Sequence, residues 1–416
     1  MPELSRDILL LFSTRIVRLF AYGSLSVILV LYLAAVGLTE PQIGLLLTLT
    51  LLGDTAISLW LTTRADRFGR RRTLAIGAIL MVGAGLVFAV SDNFVLLLLA
   101  ATIGVISPSG NEVGPFLSIE QAALSHVVAD RQRTTVFAWY TLAGSLATAA
   151  GSLVGGLLFG ALRWASFTTI ASYRTDVALY ALLGIGLLLL IARLSPATEV
   201  ARPAEPATPA TGGHRLGLKR SQRVVFKLSA LFSLDAFGGG FVIQSIAAYW
   251  FYKQFQVSPS VLGEIFFGAN LLAGLSALAA ARLAARFGLV NTMVFTHLPS
   301  NILLILVPLM PNLPLAITVL FLRFSISQMD VPTRQSYVMA VVPPEERSAA
   351  AGVTGVARTT GAAIAPLLAG IFLASPATVD LPFYLAGGLK IVYDLLLYRS
   401  FITLRPPEEA ASAGNE

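Results

Sequence analysis

The sequence predicts an all-α membrane protein whose twelve transmembrane helices form two pseudo-symmetric six-helix bundles. Three observations predict it. Of the 416 residues, 56% are hydrophobic and 12% are charged, against roughly 25% charged in soluble domains. The apolar residues gather into runs of about 20, the length that crosses a hydrocarbon core as a helix. The two halves of the chain also repeat one another. Ala65-Asp66-Arg67-Phe68-Gly69 aligns with Ala284-Ala285-Arg286-Phe287-Gly288, and Gly44 falls on Gly263 at the same offset. A second register sets Val127-Val128, Arg133 and Thr134 on Val341-Val342, Arg347 and Ser348, and so puts Gln121 on Gln335.

The first residues, MPELSRD, lead into an apolar run without a small-residue cleavage site, which reads as an uncleaved first span. Spans follow at Ile8 to Val36, Pro41 to Leu61, Thr73 to Val90, Phe94 to Val128, Thr134 to Ala161 and Asp176 to Ile191. The second set is Val224 to Tyr252, Pro259 to Leu283, Val290 to Met310, Leu315 to Val342, Ser348 to Leu373 and Phe383 to Phe401. The fourth is long for one crossing and holds Ser107-Pro108-Ser109-Gly110 and Pro115, so a kink is expected there. Thr39-Glu40-Pro41-Gln42 reads as a capping box with an early proline, and Ser258-Pro259 is similar. The resulting organisation is an N-terminal bundle over 1–193, a Pro/Ala-rich cytoplasmic linker over 194–223, a C-terminal bundle over 224–402 and a cytoplasmic tail over 403–416.

Orientation follows from charge. The loop Thr62 to Leu74 carries Arg64, Arg67, Arg70, Arg71 and Arg72 between two spans, and short basic loops stay cytoplasmic. Arg163, Arg174 and Lys253 are the Lys and Arg that fall in loops on the other side. Both termini are therefore expected in the cytoplasm, in a multi-pass protein of the cell membrane. The formal charge of +7 lies mostly in loops beside lipid headgroups, which argues against a nucleic-acid partner. Absence of cysteine excludes disulfides and thiolate metal sites. His126, His214 and His297 make no H-E-x-x-H cluster, and no nucleotide-binding loop is present. No catalytic residue, metal ligand or organic cofactor is expected.

The 62–74 loop resembles motif A of the major facilitator superfamily. Asp66, Arg67, Gly69, Arg70 and Arg71 match, while Thr62 and Arg64 depart from the leading Gly and Leu. Gly151-Ser152-Leu153-Val154-Gly155-Gly156 keeps the glycines of the family's motif C, found in antiporting exporters, and loses its proline. A small-residue packing face is the plain alternative, and Gly361, Ala365-Pro366 and Gly370 echo it in the eleventh span. Motif B is missing, since Ala100-Ala101-Thr102-Ile103-Gly104 offers Ala where its Arg would stand. The resemblance implies two parallel six-helix repeats with substrate between them.

Charges inside spans narrow the search. Asp54, Glu112, Glu120, Asp235, Glu264, Asp330 and Asp394 face Arg15, Arg18, Arg323, Arg334, Arg358 and Lys390 in number. At roughly 3 kcal/mol for each isolated charge in lipid, they must pair or meet water, although Arg18 and Glu264 are expected to snorkel. The resemblance makes spans one, four, seven and ten the cavity lining. The candidate substrate and proton pathway is therefore Arg15, Tyr22, Asp54, Glu112, Glu120, Asp235, Gln244, Arg323, Asp330 and Arg334. The repeat places Arg15 opposite Asp235 and Glu120 opposite Arg334, which suggests bridges between the halves. Asp66 is expected at the start of the eleventh helix, near Ser348 to Ala351, and Asp54 near Arg358. Gly238-Gly239-Gly240 should weaken the seventh helix.

These readings converge on a monomeric secondary transporter in the bilayer that exports a small organic compound by alternating access, with a proton as the coupling ion. A facilitator or symporter of an anionic metabolite, using Arg323 and Arg334, is the alternative. A membrane enzyme or receptor is a weaker third.

Overall fold

The computed structural model describes residues 6–128, 130–199, 218, 220–343 and 346–402, and among these every regular element is helical. The side chains of Asp66, His126, 130, 131, 133, 134, 281 and Ser348 lie outside this description. Most of the expected linker and all of the expected tail lie outside it as well.

Ten stretches are long and apolar enough to cross a membrane. The first eight helices are α1 (Arg6–Ala35), α2 (Glu40–Thr62), α3 (Ala65–Phe68), α4 (Arg70–Val90), α5 (Phe94–Ile103), α6 (Phe116–Val127), α7 (Asp130–Trp164) and α8 (Thr169–Ala192). They are followed by α9 (Gln222–Gly240), α10 (Gln244–Phe255), α11 (Pro259–Phe287), α12 (Leu289–Leu306), α13 (Leu313–Phe324), α14 (Asp330–Val341), α15 (Arg347–Leu373) and α16 (Leu381–Phe401). The fourth crossing is built from α5 and α6, the seventh from α9 and α10, and the tenth from α13 and α14.

Local chemistry explains the ends. Thr39 caps α2 through Gln42 as a full capping box with Pro41 in the first turn. Gly69 opens α4 with φ +98° and Gly288 opens α12 with φ +83°, a left-handed backbone that glycine tolerates. These two glycines are the ones that the internal repeat sets in register.

Two compact units form. One holds residues 6–199 with Ile243–Leu271, and the other holds residues 218–242 with residues 272–402. In the first, α1 packs on α7, α8 and α10. In the second, α9 packs on α15 and α16, and α12 on α14 and α16. Apolar side chains such as Leu182 and Phe295 point outward, as a lipid solvent requires.

Between α5 and α6 the chain leaves the helix for 104–115 rather than merely kinking. Backbone polar groups at membrane depth must be met by protein, and here they are. Tyr22 Oη and Tyr180 Oη donate to Val113 O and Val105 O. Thr148 donates to Gly110 O at 3.3 Å, and the Ser245 amide to Pro108 O at 3.1 Å. The seventh crossing stops after Gly240, where an added Cβ would lie 2.3 Å from Ala362 O. Gly240 thus serves a close α9–α15 approach as well as the break, while Gly238 and Gly239 face α16 at Lys390.

Candidate functional site

In the first unit α1 and the fourth crossing meet through charge. Arg18 is fully buried, and its Nη1 and Nη2 donate to the two oxygens of Glu120, each at 2.7 Å. Its Nε reaches Glu112 Oε2 at 3.2 Å, and Arg15 Nη1 donates to Glu112 Oε1 at 2.5 Å. Thr14 and Tyr140 donate their hydroxyls to the remaining lone pairs of Glu120. The Arg15 guanidinium also lies 4.4 Å from the Tyr140 ring centre. Two arginines and two glutamates make the cluster neutral. Arg18, expected to snorkel, is its centre, because one helical turn sets it beside Arg15 on the face that meets α6.

In the second unit Asp235 on α9 accepts from Lys390 Nζ at 2.6 Å and from Arg334 Nη1 at 2.9 Å. Arg334 also pairs with Asp330 one turn away at 3.2 Å. Asp394 accepts from Asn301 Nδ2 at 2.9 Å, and its other oxygen lies 2.9 Å from His297 Nδ1, which Asn301 Nδ2 also approaches at 3.1 Å. His297 Nε2 faces Asp235 at 3.7 Å. The carboxylates and cations of this network are each less than a tenth exposed. Arg15, Glu120, Asp235 and Arg334, expected to bridge the halves, each find partners inside their own unit.

Other expected residues take structural posts. Asp54 accepts from the Gly114 amide at 2.6 Å and from Ser58 at 3.1 Å; these bonds, rather than a cation, hold it on the unwound fourth crossing. Tyr22 is buried against the same loop. Gln244 Nε2 donates to Ser26 at 2.8 Å and Ser152 at 3.1 Å, and its Oε1 accepts from Asn270 at 3.0 Å. Beside this cluster, Glu40 accepts from Lys253 at 2.9 Å and from Tyr249 at 3.1 Å. Arg323 and Arg358 are half-buried and make no ion pair among the described residues.

The glycine run is a packing face. An added Cβ on Gly151 would lie 2.0 Å from Phe20 O, and one on Gly155 would lie 3.0 Å from Ser24 Cα. Gly156 faces Gly263 of α11, 2.8 Å from its Cα on the same construction. In the basic loop, Glu199 accepts from the amides of Arg70 at 2.6 Å and Arg71 at 3.0 Å, capping α4. Arg71 Nη2 donates to Ala192 O at 3.0 Å, while Arg67 is exposed. Asp7 in turn accepts from the Ser195 amide at 2.9 Å. The stretch 195–199, read as the start of a flexible linker, is therefore tied to α1 and α4.

His297, Asn301, Glu199 and Asp176 were missed as site residues. Asp176 is fully buried on α8 and accepts from Ser24 at 2.7 Å; it sits where the sequence suggests only a span end. A buried histidine one turn from an asparagine is a readable signal on α12. Its carboxylate partners are not, because they are supplied by α9 and α16.

Comparison with known proteins points one way. The chain is 35% identical over 425 residues to the uncharacterized membrane protein YJR124C of Saccharomyces cerevisiae, covering 96% of this chain and 94% of that one. It is 32% identical over 104 residues, about a quarter of each chain, to the quinolone resistance protein NorA of Staphylococcus aureus. The crystal structure of the nucleoside transporter NupG matches with a TM-score of 0.70 at 16% identity, over 95% of this chain and 99% of that one. The Major Facilitator Superfamily pattern itself matches residues 11–251 and 228–416. The chain is thus a membrane transporter that belongs to the Major Facilitator Superfamily.

Proposed function

We propose that the protein exports a small organic compound by alternating access in exchange for protons, working as a monomer in the cell membrane with both termini in the cytoplasm. One observation carries the reading: each unit buries carboxylates on cavity-lining helices of the family and pairs several of them with cations of its own. Such a carboxylate changes its proton affinity when a partner or water leaves it. Asp235, held by two cations beside the end of α9, is the coupling residue. Glu112, only partly buried next to the 104–115 loop, is the second. Export is supported by the glycines at 151, 155 and 156, which lock α7 onto α1 and α11, and by the local similarity to a drug-resistance protein. Closure of the outer face is assigned to Gln244, Glu40 and Lys253, and closure of the inner face to the loop of Asp66, Arg67, Gly69, Arg70 and Arg71.

The test is flux in proteoliposomes under an imposed pH gradient, with apolar cationic dyes such as ethidium as probes. Gradient-driven dye movement, lost in Asp235→Asn while counterflow persists, supports the reading. Gradient-independent flux overturns the coupling.

A second reading has one observation behind it. Arg323 and Arg358 are intramembrane cations without an ion pair among the described residues, whereas Arg334 is committed to two aspartates. An organic anion is the ligand that unpaired guanidinium groups at this depth would take. Flux of dicarboxylates in the same vesicles, lost in Arg358→Gln, would select it.

A further inference from the structure

The buried cluster of the second unit holds three carboxylates, of which Asp235 and Asp330 meet the cations Arg334 and Lys390 directly. Asp235 and Asp330 share Arg334, Asp235 also holds Lys390, and Asp394 meets His297 and Asn301 among the described residues. Direct pairing therefore leaves Asp394 without a cation of its own among the described residues, at a site less than a tenth exposed. A histidine lies between the two carboxylates that matter, with one ring nitrogen toward each. Nδ1 is 2.9 Å from Asp394 Oδ1 and Nε2 is 3.7 Å from Asp235 Oδ1.

We propose that His297 is the proton-binding group of this unit: a doubly protonated ring bridges Asp394 on α16 to Asp235 on α9, and loss of the Nε2 proton releases Asp235. The inference rests on the proton-coupled reading above and moves the proton from the aspartate to the imidazole. Donor accounting carries it. A neutral ring has one N–H: on Nδ1 it bonds Asp394 and turns a bare Nε2 lone pair toward Asp235, and on Nε2 it leaves Nδ1 to accept from Asn301 Nδ2 at 3.1 Å with a bare lone pair toward Asp394. With both nitrogens protonated, each carboxylate faces an N–H of a positively charged ring, Asp394 at 2.9 Å and Asp235 at 3.7 Å. Imidazole is also the side chain that ordinarily exchanges a proton near neutral pH.

Charged neighbours on every packed element bear on the ring. From α9 comes Asp235, and from α16 come Lys390, Asp394 and Tyr393, whose ring stands edge-on to the imidazole at 5.9 Å between centres. From α14 come Arg334 and Asp330, both reached through Asp235. Arg358 on α15 and Arg323 on α13 make no ion pair with the cluster among the described residues. The mechanical consequence is specific. When the Nε2 proton leaves to water, α12 loses its charge attraction to α9 across this 3.7 Å gap, and Asp235 is left with Lys390 and Arg334. The α9 end beside the glycines is then free to shift, while Asp394 keeps α12 on α16.

Nitrogen-15 NMR of ring-labelled protein in nanodiscs tests this without a substrate. In a His126→Gln, His214→Gln background the remaining imidazole is His297. Between about pH 5 and 9, Nε2 should pass from protonated to bare while Nδ1 stays protonated. In Asp235→Asn the doubly protonated form should vanish across the part of that range where the parent shows it, because an amide can donate to a bare Nε2. A ring that keeps one form throughout, or an identical titration in both proteins, overturns the proposal. The parent titration decides alone where Asp235→Asn does not fold. Titration of Nε2 without any pH-driven flux would retire the exporter reading and leave the site. PH-driven flux with a non-titrating ring would do the reverse.

Discussion

Glu120 and Arg334 occupy the same position of the internal repeat with opposite charge, and each is bound by the first helix of its own half. Arg18 on α1 grips Glu120, and Asp235 on α9 grips Arg334. The sign is inverted between the halves while the wiring is kept. Complementary residues at equivalent positions thus find their partners within their own bundles. Breaking one of these buried pairs would cost about 3–5 kcal/mol.

Arg18 should be irreplaceable in the first bundle. Arg18→Met leaves Glu120 and Glu112 short of charge in a dry site, and a loss of about 3–5 kcal/mol is expected. Arg18→Lys should recover only part of it, because an ammonium cannot make the two parallel bonds of the guanidinium. Thermal unfolding in detergent measures both. Equal melting temperatures for Arg18→Lys and the parent would refute the bidentate role.

Glycine substitutions should split by contact. Gly151→Ala drives a methyl into Phe20 O and should lower the melting temperature by several degrees. Gly186→Ala on α8 meets nothing within 4 Å and should be neutral or stabilising by up to about 1 kcal/mol. Similar effects from the two would show that the 151–156 run is not a close-packed face.

The basic loop should depend on Glu199. Glu199→Ala removes two charge-assisted bonds from the first turn of α4, for a loss of about 1–3 kcal/mol. Gly69→Ala should add a cost of about 1–2 kcal/mol for a left-handed backbone. Hydrogen exchange at the start of α4 reads both, and unchanged protection would contradict the cap.

Much of this was legible in the sequence because lipid imposes length and composition on each span, and because a 219-residue repeat is visible in Gly69 and Gly288. The break in the fourth crossing was legible from Ser107-Pro108 and Gly110. The break after Phe324 was not, since Ser325 to Met329 contains neither proline nor glycine. Partner choice was the least legible. Arg15 is compatible on paper with Asp235 or Glu112, and only the packing of α1 on the fourth crossing decides. Likewise Asp54 looked like a proton carrier, whereas the Gly114 amide it accepts from became available only when the helix unwound.

The last prediction concerns the outer closure. Gln244 on α10 links Ser26 of α1, Ser152 of α7 and Asn270 of α11, and Glu40 holds Lys253 nearby. All of these groups lie in the first unit, so the α10–α11 segment of the second sequence half is latched onto the first half here. Each neutral hydrogen bond contributes about 0.5–1.5 kcal/mol. Gln244→Leu removes three, and should favour the unlatched state by at least tenfold, since about 1.4 kcal/mol corresponds to a factor of ten. The native chain has no cysteine, so Ser109→Cys, in the half-buried loop beside Gln244, supplies a single thiol. A membrane-impermeant maleimide applied from the face of Glu40 should label it about tenfold faster in Gln244→Leu than in the parent. Glu40→Gln should give a smaller increase, because that pair is partly exposed and weak. Labelling rates that do not change in Gln244→Leu would mean that the glycine face, rather than the polar latch, holds α10 and α11 onto α1 and α7.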